Sequence, residues 1–274
     1  MKNLIIFWLL LPLSCFGGSI YFSSNQILQG EPLLIEIKGD RGSFVYIEED
    51  FLPIIEVNGG RYIFWSPDLD ARVGSYDVCD EKGNELGIFQ VIDRSGETKE
   101  DTIKTEFEIK SEIVEKHFDS LCFFHKYEPL FSGKLVDPLA EMNIYSWYAK
   151  LRKKGEDVWW HKGIDLTTKI GTPIYSIGDG VVVEAGEFFR YGRTTVVDHG
   201  AGILSFYLHQ SDFEVKKGDR VKAGQLIGKT GDTGNVTGPH LHFGIRVSGE
   251  QTDPVLFMKM FNELIGEVAL SKNN

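Results

Sequence analysis

Residues 238–247, GPHLHFGIRV, place two of the chain's seven histidines on alternate positions of an apolar stretch. If the stretch is a strand, successive side chains point to opposite faces. His240, His242, Gly244 and Arg246 then share one side, and Leu241, Phe243, Ile245 and Val247 share the other. The second set is the core face. The two imidazoles therefore point together toward an open side, with β-carbons ~7 Å apart at most. A lone histidine is usually structural, but a pair backed by a wholly apolar face asks for a shared task.

The neighbouring sequence supports the strand reading. GTPIYSI, GVVVEAG, TTVVDHG and GILSFYLH are short, rich in β-branched residues and separated by glycine turns. That pattern predicts an all-β domain of antiparallel strands over residues 132–261, an antiparallel sheet or barrel-like unit. The run VLFMKMFNELIGEV has helical spacing and reads as a closing helix, with its end and tail in 262–274.

Two further pieces carry polar chemistry. In HKGID, His161 and Asp165 are four residues apart, which places them on one side of a helix or of a strand. Gly163 and the following Leu-Thr-Thr favour the extended form. Alone, the pair reads as a surface histidine and a turn aspartate. In LSFYLH, alternation puts Ser205, Tyr207 and His209 on one face and Leu204, Phe206 and Leu208 on the other, so that His209 lies away from the core.

Four histidines and one aspartate thus gather at strand ends of one β domain. Two or three imidazoles with one carboxylate, and a position left for water, is the composition of a catalytic zinc site. There is no HExxH helix, so the thermolysin-like layout is excluded. Spacing leaves open which of His209, His240 and His242 bind the ion. A strand HxH can give both imidazoles to one metal, or one can bind while its neighbour moves protons.

HKGIDL, GTPIYSIGDGVVVEAG, TVVDHG, YLHQS, VKKGDRVKAGQLIGKTGDTG and TGPHLHFGIRV, in that order, closely resemble the lysostaphin/LytM-type zinc metallo-endopeptidases over about residues 132–256. The resemblance implies one zinc ion held by His161, Asp165 and His242. It implies catalytic roles for His240 and His209, with His240 as base or transition-state stabiliser. It also implies a substrate in the peptide part of bacterial peptidoglycan, either stem peptides or cross-links. Ala149 stands where the family usually has glycine, and Gln210 where leucine is commoner. The rival is a non-catalytic envelope regulator on the same fold. Relatives of that kind have typically lost zinc ligands, whereas all five positions are filled here. An envelope protein as activator is compatible with either reading.

From Ser19 to Val91 the segments LLIEIKG, SFVYIEE, GRYIFWSP and GSYDVCD alternate apolar and polar residues between turns. They predict an immunoglobulin-like β-sandwich over 19–91 that acts as spacer or positioning module. Residues 92–131 are highly charged and read as a linker or arm, in which His117 and His125 lack metal-type spacing. Residues 1–133 hold 12 Lys+Arg against 23 Asp+Glu, a balance of −11, and residues 134–259 hold 16 against 15. No basic field for nucleic acid exists.

Residues 1–18 read as a secretory signal peptide, with Lys2, an apolar core from Leu4 to Leu13 and small residues near Gly17. The expected location is therefore outside the cytoplasm, in the periplasm or cell envelope. Cys15 allows two mature forms, a membrane-anchored lipoprotein lipidated at this cysteine or a chain cleaved after Gly17. Pro12 departs from a lipobox, where Leu is expected. Cys79 and Cys122 remain in either form, and export permits but does not require a disulfide.

Two other motifs are decoys. Gly224–Thr230 resembles a phosphate loop but is one residue short between its glycines. Met258-Lys259-Met260 resembles a biotinylated motif but follows, rather than precedes, the GDRVKAGQLIG hairpin. His199 in VVDHG reads as a structural hydrogen-bonding residue.

Overall fold

The protein is described by a computed structural model, and the residues it describes are 19–39, 42–57, 59–94, 100–102, 117, 121, 128–154 and 157–271. The expected signal peptide with Cys15, most of the linker, His125 and Cys122 lie outside them. Cys79 is a free, partly buried thiol.

The first nine strands are β1 (Ser19–Phe22), β2 (Gln26–Leu28), β3 (Leu33–Lys38), β4 (Phe44–Ile47), β5 (Asp50–Pro53), β6 (Ile55–Val57), β7 (Gly60–Trp65), β8 (Gly74–Asp80) and β9 (Glu85–Ile92). They form two sheets, ordered β1-β3-β7-β6 and β2-β9-β8-β4-β5. Leu33, Ile35, Ile63 and Trp65 of the first sheet share a core with Val45, Val78, Phe89 and Val91 of the second. The alternation expected in GRYIFWSP fails in β7, where Tyr62, Ile63, Phe64 and Trp65 are all buried. The physical reason is that this sheet is covered on both sides. Leu34, Tyr62 and Phe64 face the rest of the chain, and the Phe64 ring lies 5.9 Å from Phe257 and 5.7 Å from Phe261, centroid to centroid.

The later strands are β10 (Glu100–Thr102), β11 (Ile144–Ser146), β12 (Leu151–Lys154), β13 (Asp157–Trp160), β14 (Ile164–Thr167), β15 (Pro173–Tyr175), β16 (Gly180–Phe188), β17 (Gly192–Asp198), β18 (Ile203–Phe213), β19 (Arg220–Val221), β20 (Leu226–Thr230), β21 (His240–Val247) and β22 (Glu250–Thr252). The main sheet runs β11-β14-β21-β18-β17-β16-β19, with antiparallel neighbours throughout. Helix α1 (Pro254–Ser271) closes the chain, and Phe257, Phe261 and Leu264 are buried against Phe243, Ile245 and Val247. Among the described residues no helix is long and apolar enough to cross a membrane.

His199 is fully buried. Its Nδ1 donates to the Asp179 carbonyl at 2.8 Å and its Nε2 meets Ser205 Oγ at 2.8 Å, with Tyr207 Oη 3.0 Å beyond. Burial holds its pKa down at about 4. The unfolded chain titrates nearer 6.5, so below that pH it binds a proton that the folded chain refuses. Stability therefore falls as pH drops from about 6.5 to about 4, with a contribution of about 3 kcal/mol. Urea midpoints of wild type and His199→Asn across this window should converge toward acid pH. Parallel slopes would remove His199 as the cause.

Candidate metal centre

The HxH strand and the HxxxD strand are direct partners. In the β14–β21 register Asp165 stands opposite His242 and Thr167 opposite His240. That pairing brings the carboxylate and an imidazole together on one face. His161, just after β13, is fixed by two backbone bonds, Ala149 N to His161 O and His161 N to Lys150 O, both 2.8 Å.

The donor atoms form a tight triangle. His161 Nε2 lies 3.1 Å from Asp165 Oδ1 and 3.1 Å from His242 Nδ1, and His242 Nδ1 lies 2.8 Å from Asp165 Oδ1. His161 donates its Nδ1–H to the Trp147 carbonyl at 2.8 Å, and in that tautomer Nε2 carries the lone pair. Nε2 and Asp165 Oδ1 thus face each other with no proton to share. Both residues are 2% exposed, where water cannot screen the repulsion. A cation resolves it, and two imidazoles with one carboxylate are the ligand types that zinc takes. The donor set fits one zinc ion.

Protonation states agree. Burial works to raise the Asp165 carboxyl, but the neighbouring His161 and His242 outweigh it and hold the group well below its usual range. Burial lowers the imidazolium pKa of His242 and of His240. His209 is pushed down to about 3, first by burial and then by the like charges of His240 and His242. Neutral imidazoles are what ligation and proton acceptance both require.

His209 and His240 stand beside the triangle, with ring centroids 4.8 Å apart. His209 donates Nδ1–H to the Thr233 carbonyl and His240 donates to the Gly238 carbonyl, each at 2.8 Å. In both rings Nε2 is left as the proton acceptor. His240 Nε2 is 3.8 Å from Asp165 Oδ1.

The route by which His209 arrives differs from the sequence reading. Ser205 and Tyr207 face the interior, with Tyr207 packed 5.4 Å from Phe243, centroid to centroid. Leu204, Phe206 and Leu208 lie on the side of His242, in a smaller apolar cluster that includes Leu121. Strict alternation would bury His209 with Tyr207. Instead His209 adopts φ 62°, the left-handed region, at a register shift between β17 and β18. That one residue turns the imidazole to the metal side.

Glycine lets two loops approach closely beside His209. A Cβ on Gly234 would stand 2.3 Å from Gly192 N, and one on Gly192 would stand 2.4 Å from the Thr233 backbone. Two backbones touch there, and the contact holds the Thr233 carbonyl over His209. Gly163 is equally constrained, since a Cβ there would meet His242 Nε2 at 2.6 Å and the Phe243 carbonyl at 2.7 Å.

Sequence reasoning did not single out Arg152 or Ser146, which touch Asp165 and His161. It also missed Tyr145, half exposed, with its ring 6.0 Å edge-on from His240.

A buried His-Asp-His set that could hold a metal ion thus lies on an antiparallel β domain, with two acceptor imidazoles beside it. Residues 160–254 match the model of peptidase family M23, so the chain carries a domain of that family. It is 48% identical over 99 residues to the peptidoglycan DD-endopeptidase ShyA of Vibrio cholerae, a match covering 36% of this chain and 22% of that protein. The chain therefore spans under a quarter of the length of that curated relative. The catalytic domain of the antimicrobial peptidase lysostaphin from Staphylococcus simulans is 36% identical, covering 42% of this chain and 91% of that one, with a TM-score of 0.39. A solved structure from Pseudomonas aeruginosa assigned to peptidase M23 is 23% identical and covers 84% of this chain and 94% of that one, at TM-score 0.58. That last likeness is one of fold.

Proposed function

We propose that the protein is an exported zinc metallo-endopeptidase that hydrolyses peptide bonds in bacterial peptidoglycan stem peptides or cross-links. The observation that carries this reading is the pairing of a buried three-donor triangle with two neighbouring imidazoles, each fixed with Nε2 as acceptor. A pure metal store or structural site has no use for the second pair. Zinc bound by His161, Asp165 and His242 would supply a Lewis acid that polarises a carbonyl and brings the pKa of water down toward ~7.

The chain's own residues supply the rest. His209 Nε2 or His240 Nε2 accepts a proton from the attacking water. That proton then sits on Nε2, from which the imidazolium donates to the developing oxyanion and passes the proton on to the leaving amine. The Thr233 and Gly238 carbonyls keep both rings in the one tautomer that can do this. Half-exposed Tyr145 and Trp147 flank the site and offer aromatic surface to an extended peptide.

Residues 19–91 act in this reading as a positioning domain for the metallopeptidase domain, 132–261. Among the described residues their contacts with the later part of the chain include Asp253 N to Gly30 O at 3.0 Å, Ser248 Oγ to Phe64 O at 3.1 Å and Lys162 Nζ to Asp68 Oδ2 at 3.1 Å. Export rests on the leader-like 1–18 and on the wall location of the proposed substrate. Lipidation at Cys15 would tether the enzyme to a membrane facing that wall.

Purified peptidoglycan digested with the full chain and analysed by mass spectrometry should show new peptide termini, and chelation should abolish them. Zinc binding without any cleavage, alone or with envelope extract, would favour the regulator reading.

A further inference from the structure

Asp165 has two oxygens, and only one faces the donor triangle. Oδ1 meets His161 and His242, while Oδ2 accepts from Arg152 Nη2. The same Nη2 donates to Ser146 Oγ at 3.0 Å, and Ser146 Oγ lies 3.3 Å from His161 Nδ1. One guanidinium nitrogen therefore ties the carboxylate to the strand behind both ligands. The Asp165 side chain is 3% exposed and that of Arg152 is 18% exposed, so this is not a screened surface ion pair.

The backbone aims Arg152 at this spot. The β12–β13 register sets Arg152 opposite Trp159, two residues before His161. The turn that precedes β12 is locked to His161 by the Ala149 and Lys150 backbone bonds. Lys150, Lys153 and Lys154 are close in sequence, yet the position that reaches Asp165 is the arginine. A planar guanidinium can serve a carboxylate and a hydroxyl in fixed geometry, which a lysine ammonium does not match.

We infer that Arg152 is a positioning residue for the metal site. It pins Asp165 through Oδ2, so that Oδ1 is presented to the ion. The inference rests on the zinc reading above. Two effects oppose each other. Without Arg152 the site is more negative, which attracts a cation, but the carboxylate is free to rotate out of the triangle. Partners that orient metal ligands are typically worth ~10–100-fold in affinity, and here orientation dominates.

The test uses the full chain as wild type, Arg152→Met and Arg152→Lys. Zinc dissociation constants are read by chelator competition, thermal midpoints are taken metal-free, and visible spectra are taken with Co(II) in place of zinc. The expected result is a ~10–100-fold weaker zinc affinity for the Met variant, partial recovery with Lys, an altered Co(II) spectrum and near-unchanged metal-free midpoints. Wild-type or tighter affinity in the Met variant overturns the inference. So does a metal-free midpoint that collapses in both variants, which would make Arg152 a folding residue. If wild type itself takes up no zinc, the metallo-enzyme reading fails first, and that outcome is distinguishable from the others.

Discussion

Purified His242→Ala is expected to carry essentially no zinc where wild type carries about one ion per chain. The triangle has three donors within 4.8 Å of one another, and His242 Nδ1 touches both of the others. Its removal leaves a two-ligand site. It also exposes Asp165 Oδ1, which in wild type is flanked by imidazoles on two sides. The affinity loss should exceed the ~10–100-fold typical of outer-shell changes, and cleavage should vanish with it. Metal analysis after dialysis against weak chelator checks the first point, and peptidoglycan digestion checks the second. The fold should survive, because His242 contributes no apolar surface to the main core, which is carried by Leu241, Phe243, Ile245 and Val247. Retention of zinc by His242→Ala would mean that the ion sits elsewhere, with His240 the first candidate because it shares the strand face.

Much of this arrangement is legible in the sequence, for a physical reason. A strand with one face in the core advertises its period of two, and GPHLHFGIRV has an unbroken apolar face. LLIEIKG, SFVYIEE, GRYIFWSP and GSYDVCD all contain strands of the folded protein. What the sequence does not advertise is long-range pairing. Nothing local to His161 and Asp165 says that β14 aligns with β21 so that Asp165 faces His242. Arg152 was hidden for the same reason, being one basic residue in LRKK until the β12–β13 hairpin folds it back. In β7 the period is masked because the sheet packs on both faces. His209 is the instructive miss. Alternation holds along β18 from Ile203 to Leu208, and a single non-glycine residue in the left-handed region then breaks it. Histidine gives little composition signal for such a conformation, whereas glycine would have.

His209→Ala and His240→Ala should each keep wild-type zinc content yet lose ~10²–10⁴-fold in kcat, the usual scale of a general acid–base contribution. Neither ring belongs to the donor triangle, and both present Nε2 from a tautomer fixed by a backbone carbonyl. A non-glycine residue at φ 62° costs free energy, and such strain is kept where the position serves a site. His209→Gly relieves the backbone cost and removes the imidazole, so it should be at least as stable as His209→Ala while equally inactive. Stability and turnover would thereby separate at one residue. Because the two imidazoles act on the same proton inventory, the double variant should be little worse than either single one. Independent, multiplicative losses would mean that the two histidines serve different steps. Loss of zinc from either single variant would move that residue into the metal's own ligand set.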